Sequence, residues 1–128
     1  MDQSLVDRTL DYLSAGLAGD TRALDAVCDP GFENIRCDEA GRVVTLTRAR
    51  FLSGFQTPGR QAYEKAGAIS PLVTSEYDGH GTVVVRRVQG SVPVLHTLVW
   101  RREEGEWRTL LREFTFVRGM AECGQIQT

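Results

Sequence analysis

The chain has 128 residues, 41% hydrophobic and 25% charged, and a formal net charge of −2. That length fits one domain able to bury a core without disulfides or metal. The near-neutral balance lacks the clustered positive charge of a nucleic-acid footprint, and no apolar run approaches the ~20 residues of a membrane span.

From Ser4 the sequence predicts a helix, with Ser4 as N-cap and Asp7 as its partner three residues on. Val6, Leu10, Leu13 and Leu17 recur at helical spacing as a core stripe. Leu5, Thr9, Tyr12 and Gly16 form the adjacent row, which sets Tyr12 on the flank of the buried face. Gly19-Asp20 ends this helix and caps a short second one that Pro30-Gly31 stops. A strand over Phe32–Cys37 turns through Asp38-Glu39-Ala40-Gly41 into a short strand at Val43–Leu46. Thr47 caps a third helix carrying Phe51, Leu52 and Phe55. Residues 56–67, with Pro58, Gly59 and Gly67, show no period and read as a loop: a lid or a plain surface connection.

The second half alternates strands and turns: Ile69–Tyr77, Thr82–Val88, Val92–Arg102 and Glu106–Val117. Residues 118–128 read as a loose tail. In the last two strands both faces carry apolar residues. Val94, His96, Leu98 and Trp100 oppose Leu95, Thr97 and Val99. Leu110, Arg112, Phe114 and Phe116 oppose Trp107, Thr109, Leu111 and Thr115. A sheet with one wet face alternates cleanly. Helices confined to the first half cover one face, so a second copy of the chain is expected on the other, through Trp107, Thr109, Leu111 and Thr115. Arg86-Arg87 and Arg101-Arg102 read as solvated strand ends, because neighbouring strand residues point to opposite faces.

The fold expected is α+β, with N-terminal helices packed on a curved antiparallel sheet and residues 1–128 forming a single domain. Specific stretches strengthen this: Tyr12 before Gly19-Asp20-Thr21-Arg22-Ala23-Leu24, Asp29-Pro30-Gly31-Phe32, Gly41 to Leu52, and His96-Thr97-Leu98-Val99-Trp100-Arg101-Arg102 followed by Gly105-Glu106-Trp107-Arg108 and Thr115. In these the chain resembles the nuclear transport factor two-like superfamily, whose cone-shaped fold hosts isomerases, dehydratases, cyclases and non-catalytic binding modules. Compared with its Δ5-3-ketosteroid isomerases, Tyr12 resembles the oxyanion tyrosine and His96 falls about where the protonated acid sits. Arg36 occupies the place of the carboxylate base, with Asp38 two residues on. By the same comparison Leu110, Arg112 and Phe114 face the cavity from the last strand.

The candidate catalytic groups are therefore Tyr12, His96 and Asp38. Arg112, Arg36, Phe55, Leu110 and Phe114 are the candidate ligand-binding residues. Arg112 is expected to meet either an internal carboxylate or an anionic ligand. Three widely spaced cysteines without a C-x-x-C, and two distant histidines, give no metal site, and no cofactor fingerprint occurs. No signal peptide is legible at Met1–Ser4, so a reducing cytoplasm is expected. Two function classes remain. One is a small-molecule enzyme performing proton transfer, dehydration or cyclisation on a small organic, anionic substrate. The other is a non-catalytic ligand-binding or dimerisation module.

Overall fold

The computed structural model describes residues 1–54, 69–89 and 92–117. Phe55, the segment 56–67 and the tail 118–128 lie outside the described residues. Among those described are helices α1 (Gln3–Ala18), α2 (Thr21–Val27) and α3 (Arg48–Ser53). Six strands accompany them: β1 (Cys28–Cys37), β2 (Val43–Thr47), β3 (Ile69–Tyr77), β4 (His80–Gln89), β5 (Val92–Glu103) and β6 (Glu106–Val117).

The helix ends obey local chemistry, with one correction. Asp2, not Ser4, caps α1: its carboxylate accepts from the Leu5 backbone N–H at 3.1 Å and from the Ser4 hydroxyl at 2.6 Å. An anion there also answers the positive end of the helix dipole. Gly19 closes α1 at φ 69°, a left-handed conformation that costs glycine little. Asp20 and Thr47 cap α2 and α3 as the sequence predicts. The α1 burial pattern is rotated from expectation. Leu5, Val6, Thr9, Tyr12 and Leu13 are buried, so Tyr12 lies in the core row and not on its flank.

The strands form one sheet in the order β2-β1-β6-β5-β4-β3. Its pairs are antiparallel except β1–β6, which is parallel, so the sheet is mixed where a wholly antiparallel one was expected. The cause is which arm of the β1–β2 hairpin docks. The first arm, not the second, lies against the last strand. The helix-facing side of the sheet and the helices enclose a core of Leu5, Tyr12, Leu24, Phe32, Leu98 and Trp100 with their neighbours. Gly81 on β4 allows α1 to approach: a Cβ there would meet Leu5 Cδ2 at 2.8 Å and the Trp107 ring at 3.0 Å.

Strand β6 does not alternate as a regular strand would. Arg102 pairs with Trp107 and Arg101 with Thr109, then Trp100 with Leu110 and Val99 with Arg112. Arg108 and Leu111 are thus extra residues on β6. Each such bulge reverses the facing of the residues after it. Trp107, Leu110, Glu113 and Thr115 consequently all turn inward and are buried. The expectation that Leu110, Arg112 and Phe114 share the inner face is corrected for Arg112 and Phe114. The expectation that Trp107 and Thr115 lie on the outer face is corrected with it. The outer face opposite the helices carries Leu95, Thr97 and Val99 of β5 beside Phe116, Phe114 and Arg112 of β6. Leu95 is 40% exposed.

Candidate functional site

On β1 the alternation sets Phe32, Asn34 and Arg36 on the inner face. Arg36 pairs with Thr115 of β6, and Thr115 pairs with His96 of β5. Arg36, Thr115 and His96 therefore form a row across three adjacent strands. With strands about 4.8 Å apart, the two outer members of the row stand about 10 Å apart at Cα. Asn34 and Glu113 belong to the next row along. Asn34 is fully buried, and its Nδ2 donates to Thr115 Oγ1 at 3.1 Å and to the Glu113 carbonyl at 3.4 Å.

These rows open onto a cavity of about 60 Å³ beneath α1. Its polar lining is Tyr12, Arg36, Arg87, His96, Glu113 and Thr115, and Leu13, Leu17, Leu24 and Phe51 supply apolar wall. Tyr12 comes down from α1 and its hydroxyl donates to Glu113 Oε1 at 2.7 Å. His96 Nδ1 lies 2.9 Å from the other oxygen, Glu113 Oε2. One carboxylate thus joins the helix to the sheet and engages two candidate groups at once.

The electrostatics assign the protons. Burial pushes the Glu113 carboxyl up, but the hydrogen bond and charge of His96, the Tyr12 hydroxyl and the Arg36 guanidinium outweigh it, and the group is held below the ordinary carboxylate value. An ionised carboxylate only accepts, so both Tyr12 Oη and His96 Nδ1 carry the hydrogen. Burial, and then the negative charge of Glu113, push the Tyr12 phenol well above its ordinary value. Tyr12 therefore stays protonated, with its proton committed to Glu113. His96 Nε2 is buried and has no hydrogen-bond partner among the described residues. The same holds for Arg36 Nε. Trp100, edge-on to Tyr12 at 6.1 Å, donates its indole N–H to Thr9 Oγ1 at 3.0 Å and closes the cavity's far side with apolar surface.

The candidate residues separate accordingly. Tyr12, Arg36 and His96 come together around the cavity. Asp38 does not join them. It stays in the β1–β2 turn, accepts from the backbone N–H groups of Ala40 and Arg42, and forms an ion pair with Arg42 at 3.1 Å. Those bonds hold its carboxyl below the usual range. Arg112 lies on the outer face, donating to the Gly31 carbonyl at 2.8 Å and sitting 3.6 Å from Glu33. Phe114 is on that face too, while Leu110 is a fully buried core residue outside the cavity wall. Glu113 and Arg87 are the cavity residues that sequence reasoning misses. Unbroken alternation sets Glu113 on the opposite face. Arg87 reads as solvated together with Arg86, whereas only Arg86 is exposed. The available signal for Glu113 is a single acid between Leu111 and Phe114 in an apolar strand. Among the described residues no cluster of acids, cysteines and histidines is disposed to hold a metal ion. Burial drives the Cys28 thiol up to about 12, which leaves it unreactive.

No protein-family model matches the chain, and neither does any curated protein. Solved structures do match. A nuclear transport factor two-like protein of unknown function from Silicibacter pomeroyi superposes with a TM-score of 0.72 at 17% identity, over 91% of this chain and 94% of its own. The chain has the nuclear transport factor two-like fold. A second such protein of unknown function, from Shewanella baltica, gives 0.72 at 9% identity over 90% and 91% of the two chains. The CaMKII hub of S. rosetta gives 0.67 at 15% identity over 88% and 93%. At these identities the likeness is one of fold, and a nuclear transport factor two-like fold leaves function to the site.

Proposed function

We propose that this protein binds a small organic anion in the cavity beneath α1, with Arg36 as the anchoring cation and His96 as the acid–base group beside it. The observation that carries the reading is Arg36, whose Nε is buried against the cavity with no hydrogen bond among the described residues. A guanidinium stays charged at any working pH, so an anionic ligand would supply the counter-charge and bonds it lacks. The nearest carboxylate, Glu113, already serves Tyr12 and His96. Proton transfer, dehydration and cyclisation on such a ligand are the chemistries this polar corner and its apolar wall suit. Cys28, a buried free thiol, suits a reducing cytoplasm.

Calorimetric titration of acetate, pyruvate and benzoate into wild type and Arg36→Met tests the reading. Wild type is expected to bind at least one of them, and the variant to bind it about 10-fold or more weakly, as for a lost charge-assisted hydrogen bond. Equal affinity in both, or binding in neither, removes the anion pocket. The second reading, a homodimerisation module joined through the sheet, is favoured by the apolar outer face around Leu95, Val99 and Phe114. It is compatible with the first.

A further inference from the structure

The cavity holds a feature that binding alone does not use: a buried acid engaging one nitrogen of a histidine while the other faces the ligand space. We propose that the protein catalyses reversible proton abstraction from small 2-oxo acids, with His96 Nε2 as the proton acceptor, Arg36 as the clamp on the developing enolate, and Glu113 as the positioning residue. This rests on the anion pocket proposed above and names its substrate class and reaction.

The geometry carries it in four steps. Glu113 accepts from His96 Nδ1 at 2.9 Å, which fixes the imidazole proton on Nδ1. Nε2 is then the ring atom that exchanges a proton, and it has no partner among the described residues. Arg36 stands across Thr115 in the same cross-strand row, so a ligand seated over Thr115 lies between base and guanidinium. A planar guanidinium matches two oxygens in one plane, and a 2-oxo acid presents its carboxylate and keto oxygens in that way. Finally, 60 Å³ is small. At 10–15 Å³ per water centre it has room for roughly four to six, which suits a molecule of about that many non-hydrogen atoms such as pyruvate.

The step balances without any co-reactant. A proton leaves C3 of the substrate for His96 Nε2. The C–H electron pair becomes the C2–C3 double bond, and the carbonyl pair moves onto the keto oxygen beside Arg36. Return of a proton from Nε2 to C3 restores the acid, and in heavy water it returns a deuteron. Tyr12 has no part in this step. Its hydroxyl is bonded to Glu113 at 2.7 Å, so the tyrosine that resembles an oxyanion donor in sequence instead buttresses the positioning acid.

The experiment tracks C3 deuteration of pyruvate in heavy water by proton NMR, for wild type, His96→Gln, Glu113→Gln, Tyr12→Phe and Arg36→Met. Wild type is expected to exceed the protein-free rate and His96→Gln to fall to it. Arg36→Met should exchange at least 10-fold more slowly. Glu113→Gln should lose about 100-fold or more, the scale of a misdirected general base. A glutamine has one acceptor oxygen for two donors, and its amide N–H would turn Nδ1 into an acceptor. Nitrogen-15 NMR of the His96 ring should therefore show the proton on Nδ1 in wild type and on Nε2 in Glu113→Gln. Tyr12→Phe should keep activity within a few-fold. Exchange at the protein-free rate by wild type that binds pyruvate through Arg36 overturns this proposal and spares the anion pocket; absence of binding removes both. Wild-type exchange in folded Glu113→Gln, or abolished exchange in folded Tyr12→Phe, also overturns it. If Glu113→Gln does not fold, the ring nitrogen assignment in wild type and the His96→Gln rate decide: a proton resting on Nε2 refutes the scheme.

Discussion

Glu113 is the residue on which the interior is organised. It is a carboxylate about 3% exposed, held ionised by a phenol, an imidazole and a guanidinium. Replacing it with leucine removes one acceptor but leaves two buried donors unpaired. The expected loss is about 3–5 kcal/mol in urea unfolding, larger than for Leu98→Val in the same core, which should cost about 1. The pH dependence has a definite sign. The folded carboxyl lies below its ordinary value of 4.5, so the unfolded chain binds this proton more readily. The stability Glu113 contributes is therefore complete above about pH 4.5 and lost as pH falls through its depressed folded value. Tyr12 acts at the other end. Its folded value lies above the ordinary 10.0, so its contribution is intact below pH 10 and lost as pH rises beyond it. Absorbance of ionised tyrosine should show one fewer titrating group in the folded protein than in the unfolded chain at pH 11. Full tyrosine titration before unfolding would contradict the burial of that hydroxyl.

At the scale of elements, periodicity makes most of the structure legible and one device conceals the rest. Helical spacing, the Asp20 and Thr47 caps, and the Asp78-Gly79 and Glu104-Gly105 turns appear in the sequence because each is set by a few adjacent residues. Tyr12, Arg36 and His96 are legible as a group because their strand and helix parities hold. Arg112, Phe114 and Glu113 are not, because a bulge is set by how β6 pairs with β5, and pairing is non-local. A strand rich in apolar residues on both faces gives alternation nothing to register against. Deleting Leu111 is the test. The deletion would turn Arg112 inward and Glu113 outward, or force β6 to slip. Either outcome should cost more than about 3 kcal/mol and shift the His96 ring resonances; a variant with native stability and unchanged resonances would refute the role of the bulge. Gly81 offers a second element-level check. Its alanine variant must push aside Leu5 and Trp107, where α1 crosses β4, and should lose about 1–3 kcal/mol.

For the whole molecule, the apolar surface that still needs cover lies on the outer sheet face. Helices cover the other side, while β5 and β6 present Leu95, Thr97, Val99, Phe114 and Phe116 outward, with Ile35 of β1 paired beside Phe114. An antiparallel sheet face left to water is normally polar at alternate positions. Here the polar positions at the centre of this face are Thr97 and Arg112, and Arg112 is turned toward Glu33 and the Gly31 carbonyl. Apolar surface of this kind is stabilised by burial against a like surface, and a two-fold pairing of the same patch is the simplest closed arrangement. A stable pair would bury on the order of 1,600 Å² in total. The residue to test is Phe114, at the middle of the patch, not Leu111 in the bulge. Phe114→Arg puts a charge without a partner at the centre and should convert a dimer to a folded monomer at micromolar concentration, measured by light scattering. Because Glu113 and Thr115 on either side of it point inward, the variant should retain the His96 ring tautomer and the Arg36-dependent anion affinity. A wild type already monomeric at that concentration would defeat the dimer while leaving the cavity chemistry untouched, and a dimeric Phe114→Arg would move the interface elsewhere.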